Sequence, residues 1–420
     1  MPAANLPTTG ALTGVFETLA FFKDTSFAQR RFERYGDVFE TCLLGQRTVL
    51  IRGEHAISDL LSQSGSLQGW WPKSVRELLG RHSLANRNGA DHKARRRVVG
   101  QLFSASALCR YTPAIESQVQ LLSNELLNCA SPTPLAPRMR QFAFSVIANI
   151  VLGLDDQNRD ELFLDFEIWT KALFSLPIAI PGSPFARAML ARERLLSRLK
   201  QLFSDDQYFC GGLDLIRGGL DEAGIPLDDD DLAEQLLLLL FAGYETTASS
   251  LNCFFRALLL NPSSQKWLME ELEAQPFPYV ANTPCPRLDA TVLEVMRLTP
   301  PVGGFFRKTN VPIVIDGIEI PADRIIQVVL NSAMRSDQSD LCEFRPQRHM
   351  DGSFTQKLLP FGGGERVCLG KSLAELEIRL MTSGLLKNVQ LRLEPNQDLS
   401  LQQIPSPTPR GGLLISCTRE

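Results

Sequence analysis

The chain of 420 residues has no excess of positive charge and no closely spaced pair of cysteines. Its 43 Lys and Arg residues are outnumbered by 47 Asp and Glu residues, so the formal net charge is -4 and nucleic acid is not an expected partner. The nine cysteines lie far apart and form no C-x-x-C pair. This spacing argues against a zinc site and a disulfide framework and favours a reducing compartment, so we expect a cytoplasmic protein.

The chain also lacks a hydrophobic run long enough to cross a membrane. Eight apolar residues stand together at 236–243, but acidic residues flank them at 228–231, Glu234 and Glu245. A membrane-spanning helix needs about 20 apolar residues, so this run predicts a buried core helix. An apolar stretch near the start is interrupted by Glu17 and follows no basic region, which indicates neither a signal peptide nor a span.

The overall pattern predicts one large domain over residues 1–420, because no repeat and no Gly/Ser-rich or Pro-rich linker divides the chain. Between about 91 and 298 apolar residues recur mostly at helical spacing. The predicted fold class is therefore mainly α with small β-sheets. Short β-prone runs place the β-rich parts near 38–52, 311–330 and 389–417.

One helix should be much longer than the others. It should begin after Pro226, with Asp228 or Asp229 as its N-cap, because acidic residues favour the positive end of the helix dipole. It should end near Asn261 and Pro262, since the residue before a proline is driven out of helical geometry. Its apolar centre predicts that it passes through the core.

The strongest chemical signal is the segment F-G-G-G-E-R-V-C-L-G at 361–370, which precedes a predicted helix at 371–387. Cys368 therefore lies between a glycine-rich turn and the start of a predicted helix. Backbone N–H groups and the helix dipole favour the thiolate form of such a cysteine, which makes it a nucleophile or a metal ligand. Taken alone, one cysteine of nine is more often a plain buried residue, so its neighbours decide.

This segment resembles the haem-binding loop of the cytochrome P450 monooxygenases, F-x-x-G-x-R-x-C-x-G, at all five fixed positions, the last of which is Gly370. The resemblance covers essentially the whole chain and implies the cytochrome P450 fold, with haem b between the long helix and the cysteine loop. It implies that Cys368 is the axial thiolate ligand of the iron, that Phe361 packs beside the sulfur and that Arg366 pairs with a haem propionate. A guanidinium suits a carboxylate because it can donate two parallel hydrogen bonds.

A second match lies in the middle of the long helix. The segment A-G-Y-E-T-T at 242–247 resembles the family's A-G-x-[DE]-T-[TS] pattern. The resemblance implies that Ala242 and Gly243 are haem-binding residues, with the glycine leaving room for dioxygen, and that Glu245 and Thr246 relay protons. The alternative, in which Thr246 simply donates back to the carbonyl oxygen four residues earlier, stays open.

A third match is structural. Glu294 and Arg297 stand at i and i+3 on a predicted helix, so their side chains share a face. Alone they would form a surface salt bridge, but the resemblance implies a cluster in which Arg348 is the third member. The segment around Arg348 departs from the family pattern at Arg345, where an acid is common, and at His349, where an aromatic residue is usual.

Further basic residues match family positions that bind the propionates. His92 and Arg96 are four residues apart and point to one side of a helix, and Arg307 stands where other members carry a propionate-binding arginine. The run 93–97 alone would be a solvated basic face. Together with Arg379 and Lys387, the resemblance makes it a docking surface for an acidic electron donor, with O2 and a ferredoxin-type protein and its reductase as the implied partners.

The closer resemblance is to the retinoid-hydroxylating branch of the family, especially its cyanobacterial members. It rests on four segments, 71–80, 174–181, 300–304 and 405–407. The implied reaction is hydroxylation of a long hydrophobic substrate, with retinoic acid as first choice, by a protein expected to be a monomer. The residues implied in substrate binding are Trp71, Leu79, Phe174, Ala242, Val302, Gly303, Phe305 and Ile404.

The substrate carboxylate would need a cation, for which Lys73, Arg76 and Arg187 are candidates, unless all three are solvated at the entrance. A fatty-acid hydroxylase of the same fold is the main alternative. The pair Glu245 and Thr246 argues against a non-catalytic haem sensor or electron carrier, and Thr246 argues against a peroxide-using member of the fold. A cysteine hydrolase lacks support, because none of the four histidines lies in a recognisable base motif.

Overall fold

The structure is a computed structural model that describes residues 5–10, 13–24, 26–43, 45–129, 132–173, 175–204, 212–274, 283–330 and 339–418. The chain forms two compact units. Unit 1 comprises Met1–Trp71, Met296–Phe344 and Phe354–Cys368, and unit 2 comprises Pro72–Val295, Arg345–Ser353 and Leu369–Glu420. The single domain expected over residues 1–420 stays a prediction.

Most of the described chain is helical, as the spacing of apolar residues indicates. The helices are α1 (Gly14–Lys23), α2 (Phe27–Tyr35), α3 (Glu54–Ser62), α4 (Lys73–Leu79), α5 (Gly89–Gly100), α6 (Ala105–Asn128), α7 (Leu135–Ser145), α8 (Asp156–Lys171), α9 (Pro184–Ser204), α10 (Leu213–Ile216), α11 (Asp229–Leu259), α12 (Pro262–Ala274), α13 (Pro286–Leu298) and α14 (Lys371–Asn388). A π-helical segment, Val146–Val151, continues α7.

The strands form small sheets inside each unit. They are β1 (Val38–Leu43), β2 (Gln46–Ile51), β3 (Leu67–Gly69), β4 (Thr133–Pro134), β5 (Gly304–Thr309), β6 (Ile313–Ile315), β7 (Ile318–Ile320), β8 (Ile325–Val329), β9 (Gln390–Leu393), β10 (Leu401–Gln402), β11 (Thr408–Pro409) and β12 (Leu414–Thr418). Unit 1 holds a sheet of order β1-β2-β8-β5-β3 and the hairpin β6-β7, and unit 2 holds β4-β12-β9 and β10-β11.

The largest sheet joins distant parts of the sequence. β2 pairs with β8 in parallel, with Thr48 opposite Ile325, whereas β1-β2, β5-β8 and β3-β5 are antiparallel. Val49 and Ile51 on β2 and Val328 on β8 are fully buried in one apolar cluster. Burial of these β-branched side chains is the main term that holds the sheet together.

The three predicted β-rich parts are confirmed. β1 and β2 form the first hairpin, β6 to β8 fill the second part with a turn at Asp316 and Gly317, and β9 to β12 fill the third. The sequence did not predict β3, β4 or β5. β3 has three residues and β4 two, too few to show an alternating pattern.

The long helix α11 begins and ends close to the predicted positions. Asp228 is its N-cap, and its side chain accepts a hydrogen bond from Asp231 N at 2.8 Å. The helix runs for 31 residues and packs against α7, α9 and α14 within unit 2. Among the described residues, no helix is long and apolar enough to cross a membrane.

Candidate active site

One backbone hydrogen bond closes the cysteine loop in unit 1. Cys368 N donates to the Phe361 carbonyl oxygen at 2.9 Å, so the first and eighth residues of the motif meet. Gly364 has φ of +68°, where L side chains are rare, and a Cβ on Gly363 would lie 2.7 Å from Leu61 Cδ1. The glycines are therefore required by the turn and by close packing. The Cys368 side chain is exposed.

Two arginines of unit 1 lie beside β3. Gly69 on β3 is paired with Arg307 on β5, and a Cβ at Gly69 would collide with the Arg366 guanidinium. Glycine at this position thus lets the two guanidiniums approach each other. Burial and, secondarily, the charge of Arg366 lower the pKa of Arg307 to about 10, so Arg307 keeps its charge at neutral pH.

Arg307 has the environment of an anion-binding group. Its Nη1 donates to the Phe306 carbonyl oxygen at 2.8 Å and its guanidinium lies 4.6 Å from the centre of the Phe305 ring, while no carboxylate of the described chain is within ion-pair distance. A partly buried cation beside a second cation is costly unless an anion binds. A haem propionate is such an anion. The residues present therefore fit haem b, with Cys368 to hold the iron and the arginine pair to hold the propionates.

In unit 2, the central part of α11 is mostly buried but has one solvent-accessible strip. Leu238, Ala242 and Thr246 are accessible to solvent, whereas most residues between them are buried. Positions four apart lie on one face of a helix. The structure thus leaves two predicted site residues, Ala242 and Thr246, able to contact a bound molecule.

The Thr246 hydroxyl adopts the back-bonded geometry. Its Oγ1 donates to the Ala242 carbonyl oxygen at 2.6 Å, which uses its single donor and leaves its oxygen able to accept. Gly243 serves close packing, because a Cβ there would lie 2.5 Å from Ile147 Cγ1 in the π-helical segment. The predicted room for dioxygen beside Gly243 stays a prediction.

Glu245 belongs to a polar cluster between α7, α8 and α11. Its carboxylate is buried and accepts a hydrogen bond from Arg140 Nη2 at 3.1 Å. Arg140 Nη1 also lies 3.4 Å from the Tyr244 hydroxyl, which donates to Glu167 Oε1 at 3.2 Å. Burial raises the pKa of Glu245, and the Arg140 charge opposes that shift. No sequence pattern predicted the role of Arg140, which is 105 residues from its partner Glu245.

The predicted basic residues of α5 have different environments. His92 is buried and Arg96 half-buried, one turn apart, while Lys93 and Arg97 are exposed. Arg95 contributes nothing to a docking surface, because it is buried and bonds to Asp231 on α11 at 3.0 Å. Outside α5, Gly370 is the N-cap of α14, and Arg379 on α14 forms an ion pair with Asp289 at 2.8 Å.

Glu294, in unit 2, is fully buried and is the centre of a hydrogen-bonded cluster. It accepts from Arg348 Nε at 2.9 Å and from the backbone N–H of Arg345 at 3.0 Å, and its second oxygen lies 2.8 Å from His349 Nε2. The unusual histidine is thus a partner of the carboxylate. In unit 1, Arg297 is also buried, and its Nη1 donates to the Leu341 carbonyl oxygen at 2.8 Å.

The predicted substrate-binding residues are a mixture of exposed and buried side chains. Leu79 is buried, Trp71 and Phe305 are half-buried, and Gly303 is exposed. The Trp71 ring lies edge-on to Phe306, with centroids 6.4 Å apart. Val302, Ala242 and Ile404 are exposed, and Phe174 lies outside the described residues.

Comparison with known proteins gives a consistent result. The sequence model described as Cytochrome P450 matches residues 9–206 and 212–415. A protein of Synechocystis sp. whose name assigns it to cytochrome P450 120 is 33% identical over 420 residues, covering 95% of this chain and 93% of its own. Cytochrome P450 26B1 of Rattus norvegicus is 29% identical and covers 93% of this chain and 82% of its own.

Solved structures agree. A structure of retinoic acid bound cyanobacterial CYP120A1 is similar with a TM-score of 0.91 and 31% identity, over 100% of both chains. CYP102L1 is similar with a TM-score of 0.81 and 17% identity, over 94% of this chain and 98% of its own, which supports the fold alone. The family uses haem b, and the exposed cysteine and the arginine pair suit that cofactor. The chain therefore belongs to the cytochrome P450 family and is a haem-dependent monooxygenase.

Proposed function

We propose that the protein hydroxylates retinoic acid or a closely related long isoprenoid acid in the cytoplasm. The observation that carries this proposal is its likeness, over the whole length of both chains, to retinoic acid bound CYP120A1. Because the two backbones are similar at a TM-score of 0.91, this chain would provide the same backbone framework for a substrate as long as retinoic acid.

The chemistry of the predicted pocket residues supports a long apolar substrate. Trp71, Leu79, Val302, Phe305 and Ile404 are all apolar. Burial of hydrocarbon contributes roughly 25 cal/mol per Å2, so a C20 chain binds tightly with few polar contacts.

The carboxylate of the substrate needs a cation. Lys73, Arg76 and Arg187 are all exposed and stay the candidates. Lys73 Nζ lies 3.6 Å from Glu77 Oε1. If Lys73 bound the substrate, it would exchange the Glu77 carboxylate for the carboxylate of the substrate. Arg76 and Arg187 present guanidiniums, which match a carboxylate with two parallel hydrogen bonds.

Different residues of the chain would bind the cofactor and assist the reaction. Cys368 would hold the iron, and Arg307 and Arg366 would hold the propionates. The bound haem supplies the activation of dioxygen and the insertion of one oxygen atom into a C–H bond. Thr246 offers a hydroxyl on the accessible strip of α11. Glu245 is the preceding residue, and Arg140 holds its carboxylate through a hydrogen bond.

The reaction also needs two electrons from a redox partner. We propose a ferredoxin-type donor, which would dock on exposed cations of unit 2 such as Lys93 and Arg97. The Arg379 charge is partly neutralised by Asp289, so it contributes less to this surface. We further propose that the protein acts as a monomer.

Adding retinoic acid to the ferric protein is expected to displace the water on the iron and shift the spin state. The affinity should be on the order of micromolar or tighter, as is typical of a well-buried apolar ligand. Optical titration measures this affinity, and product analysis after turnover identifies the hydroxylated carbon. A saturated fatty acid of equal length is the control. A larger shift and faster turnover with that acid would contradict the retinoid proposal and favour a fatty-acid hydroxylase.

Thr246→Ala is expected to leave haem and substrate binding nearly unchanged while more of the electrons end as hydrogen peroxide. The reason is that Thr246 carries the only hydroxyl among the three residues of the accessible strip, Leu238, Ala242 and Thr246. The measurement is product formed per reduced cofactor consumed. Thr246→Ser retains a hydroxyl and should restore most of the coupling. An unchanged ratio in the alanine variant would show that Thr246 does not deliver protons.

A further inference from the structure

Two cysteines that are far apart in the sequence lie at one end of a sheet in unit 2. Cys129 is the C-cap of α6, and Cys417 lies on β12. Four residues after Cys129 the chain is in β4, where Thr133 is opposite Ile415 of β12. Because β4 and β12 are antiparallel, residues before Thr133 and residues after Ile415 lie toward the same end of the sheet. The helix α6 also packs against β12, which brings Cys129 toward Cys417.

One guanidinium acts on both thiols. Arg138 Nη2 donates to Cys129 Sγ at 3.4 Å. The other nitrogens hold the guanidinium in place, since Nε donates to Glu125 Oε1 and Nη1 to the Pro134 carbonyl oxygen, each at 2.9 Å. Burial raises the pKa of Cys417, the charge of a Cys129 thiolate raises it further, and the Arg138 charge opposes the shift. Charge effects weaken with distance, so the two sulfurs and the cation form one cluster.

The environment of the two thiols suits a reaction at sulfur. Both cysteines are half-buried and are not joined by a disulfide in this structure. Partial exposure lets a small oxidant reach the sulfur, and a neighbouring cation favours negative charge that develops on it. The raised pKa of Cys417 keeps this residue a neutral thiol at neutral pH. Cys129, which is bonded to the guanidinium, is therefore the better candidate for the first attack on an oxidant.

We propose that Cys129 and Cys417 are a reversible oxidation site that responds to hydroperoxides. The Cys129 thiolate attacks hydrogen peroxide, the O–O bond breaks, and the products are Cys129 sulfenic acid and hydroxide. The Cys417 sulfur then attacks the sulfenic sulfur, so that an S–S bond forms, the S–O bond breaks, and water leaves with the Cys417 proton. Each sulfur loses one electron, and the peroxide is reduced to two molecules of water once the hydroxide takes up a proton.

The established activity supplies the oxidant. A haem monooxygenase releases hydrogen peroxide when its two electrons do not end in product, so the site would respond to uncoupled turnover of the enzyme itself. A single reversible pair is compatible with a reducing compartment, where disulfides are transient and redox-sensing. Cellular thiols reduce such a pair by exchange. The disulfide closes a long loop, so the oxidised protein should be harder to unfold. The proposal does not depend on which substrate the protein oxidises.

Peptide mapping of the peroxide-treated holoprotein tests this proposal. After alkylation of the remaining thiols, trypsin without reductant releases Cys129 in the peptide 111–138 and Cys417 in the peptide 411–419. The two peptides should appear joined, with a mass two hydrogen atoms below their sum, and dithiothreitol should separate them. Glutathione disulfide oxidises thiols by exchange and without the haem, so it should produce the same joined pair.

Substitutions distinguish the roles of the two thiols. Cys417→Ser should leave Cys129 as a sulfenic acid, which dimedone traps. Cys129→Ser should leave Cys417 as a thiol at the same peroxide concentration. Arg138→Gln should slow the joining severalfold, and Arg138→Lys, which retains the charge, should slow it less. The matched control is Cys109→Ser, which removes an exposed thiol from the same helix and should form the disulfide as the unchanged protein does.

Haem content and far-UV circular dichroism verify that each variant is folded. The proposal would be overturned if the unchanged protein gave no joined peptide at peroxide concentrations up to those that bleach the haem. Joining of Cys417 to a cysteine other than Cys129 would also overturn it. Sulfenic acid at Cys417 in the Cys129→Ser variant, formed as fast as at Cys129 in Cys417→Ser, would contradict the assigned order of attack.

Discussion

Replacing Cys368 by histidine is expected to abolish monooxygenation while the protein still takes up some haem. Imidazole is an iron ligand, so the variant retains a group that can hold the cofactor. A neutral nitrogen donor lacks the electron-donating character of a thiolate, on which oxygen activation by this family depends.

The spectrum of the reduced carbonyl complex measures this change. The unchanged protein should show the far-red-shifted Soret band of thiolate ligation, and Cys368→His should lose it. Cys109→Ser is the matched control, because Cys109 is also exposed and lies on α6, away from the loop in sequence. If Cys368→His kept the thiolate-type band, another cysteine would be the ligand.

Arg348→Ala is expected to lower the free energy of unfolding by roughly 3 to 5 kcal/mol, the usual cost of removing one partner of a buried ion pair. Arg348 and Glu294 have side chains only 1% and 0% exposed, and Nε lies 2.9 Å from Oε1. His349 and the backbone N–H of Arg345 would remain beside the carboxylate, but the buried charge would lose the guanidinium that lies 2.9 Å from it. Little holoprotein should accumulate.

Equilibrium unfolding in urea and haem content per chain measure this loss. Arg345→Ala is the matched control, since its side chain is 43% exposed and 3.6 Å from Asp351 Oδ2. Its backbone N–H to Glu294 is unaffected by the substitution, so the expected loss is below about 1 kcal/mol. Similar unfolding free energies for both variants would mean that the buried pair contributes no more than a surface bridge.

Local patterns predicted the fold well where they depend on neighbours in sequence. The N-cap Asp228 and the turn at Asp316 and Gly317 follow from residue preferences that act over a few positions. β3 was missed because three residues carry no periodic signal, and its place is set by pairing with β5 more than 230 residues away. Such pairing is decided by burial in the folded chain, which no short window contains.

In the candidate site, too, local motifs were predicted and contacts between distant residues were missed. The motif at 361–370 predicted a cysteine loop, but Gly69, which makes room for Arg366, has no recognisable pattern around it. Arg140 and His349 were also missed as partners of buried carboxylates, because a single basic residue on a helix or loop is ordinary. The apolar segment at 174–181 predicted a pocket wall by resemblance, and composition alone did not predict that Ile178 and Ile180 would face solvent.

The parallel pairing of β2 with β8 determines when unit 1 can fold during synthesis. Thr48 and its partner Ile325 are 277 residues apart, so β2 leaves the ribosome on the order of tens of seconds before β8 exists. Until then Val49 and Ile51 lack their buried neighbours on β8, and the N–H and C=O groups of one strand edge are unpaired. Closing so long a loop is slow. The nascent chain therefore needs protection from aggregation, and yields of folded protein should improve when chaperones are abundant.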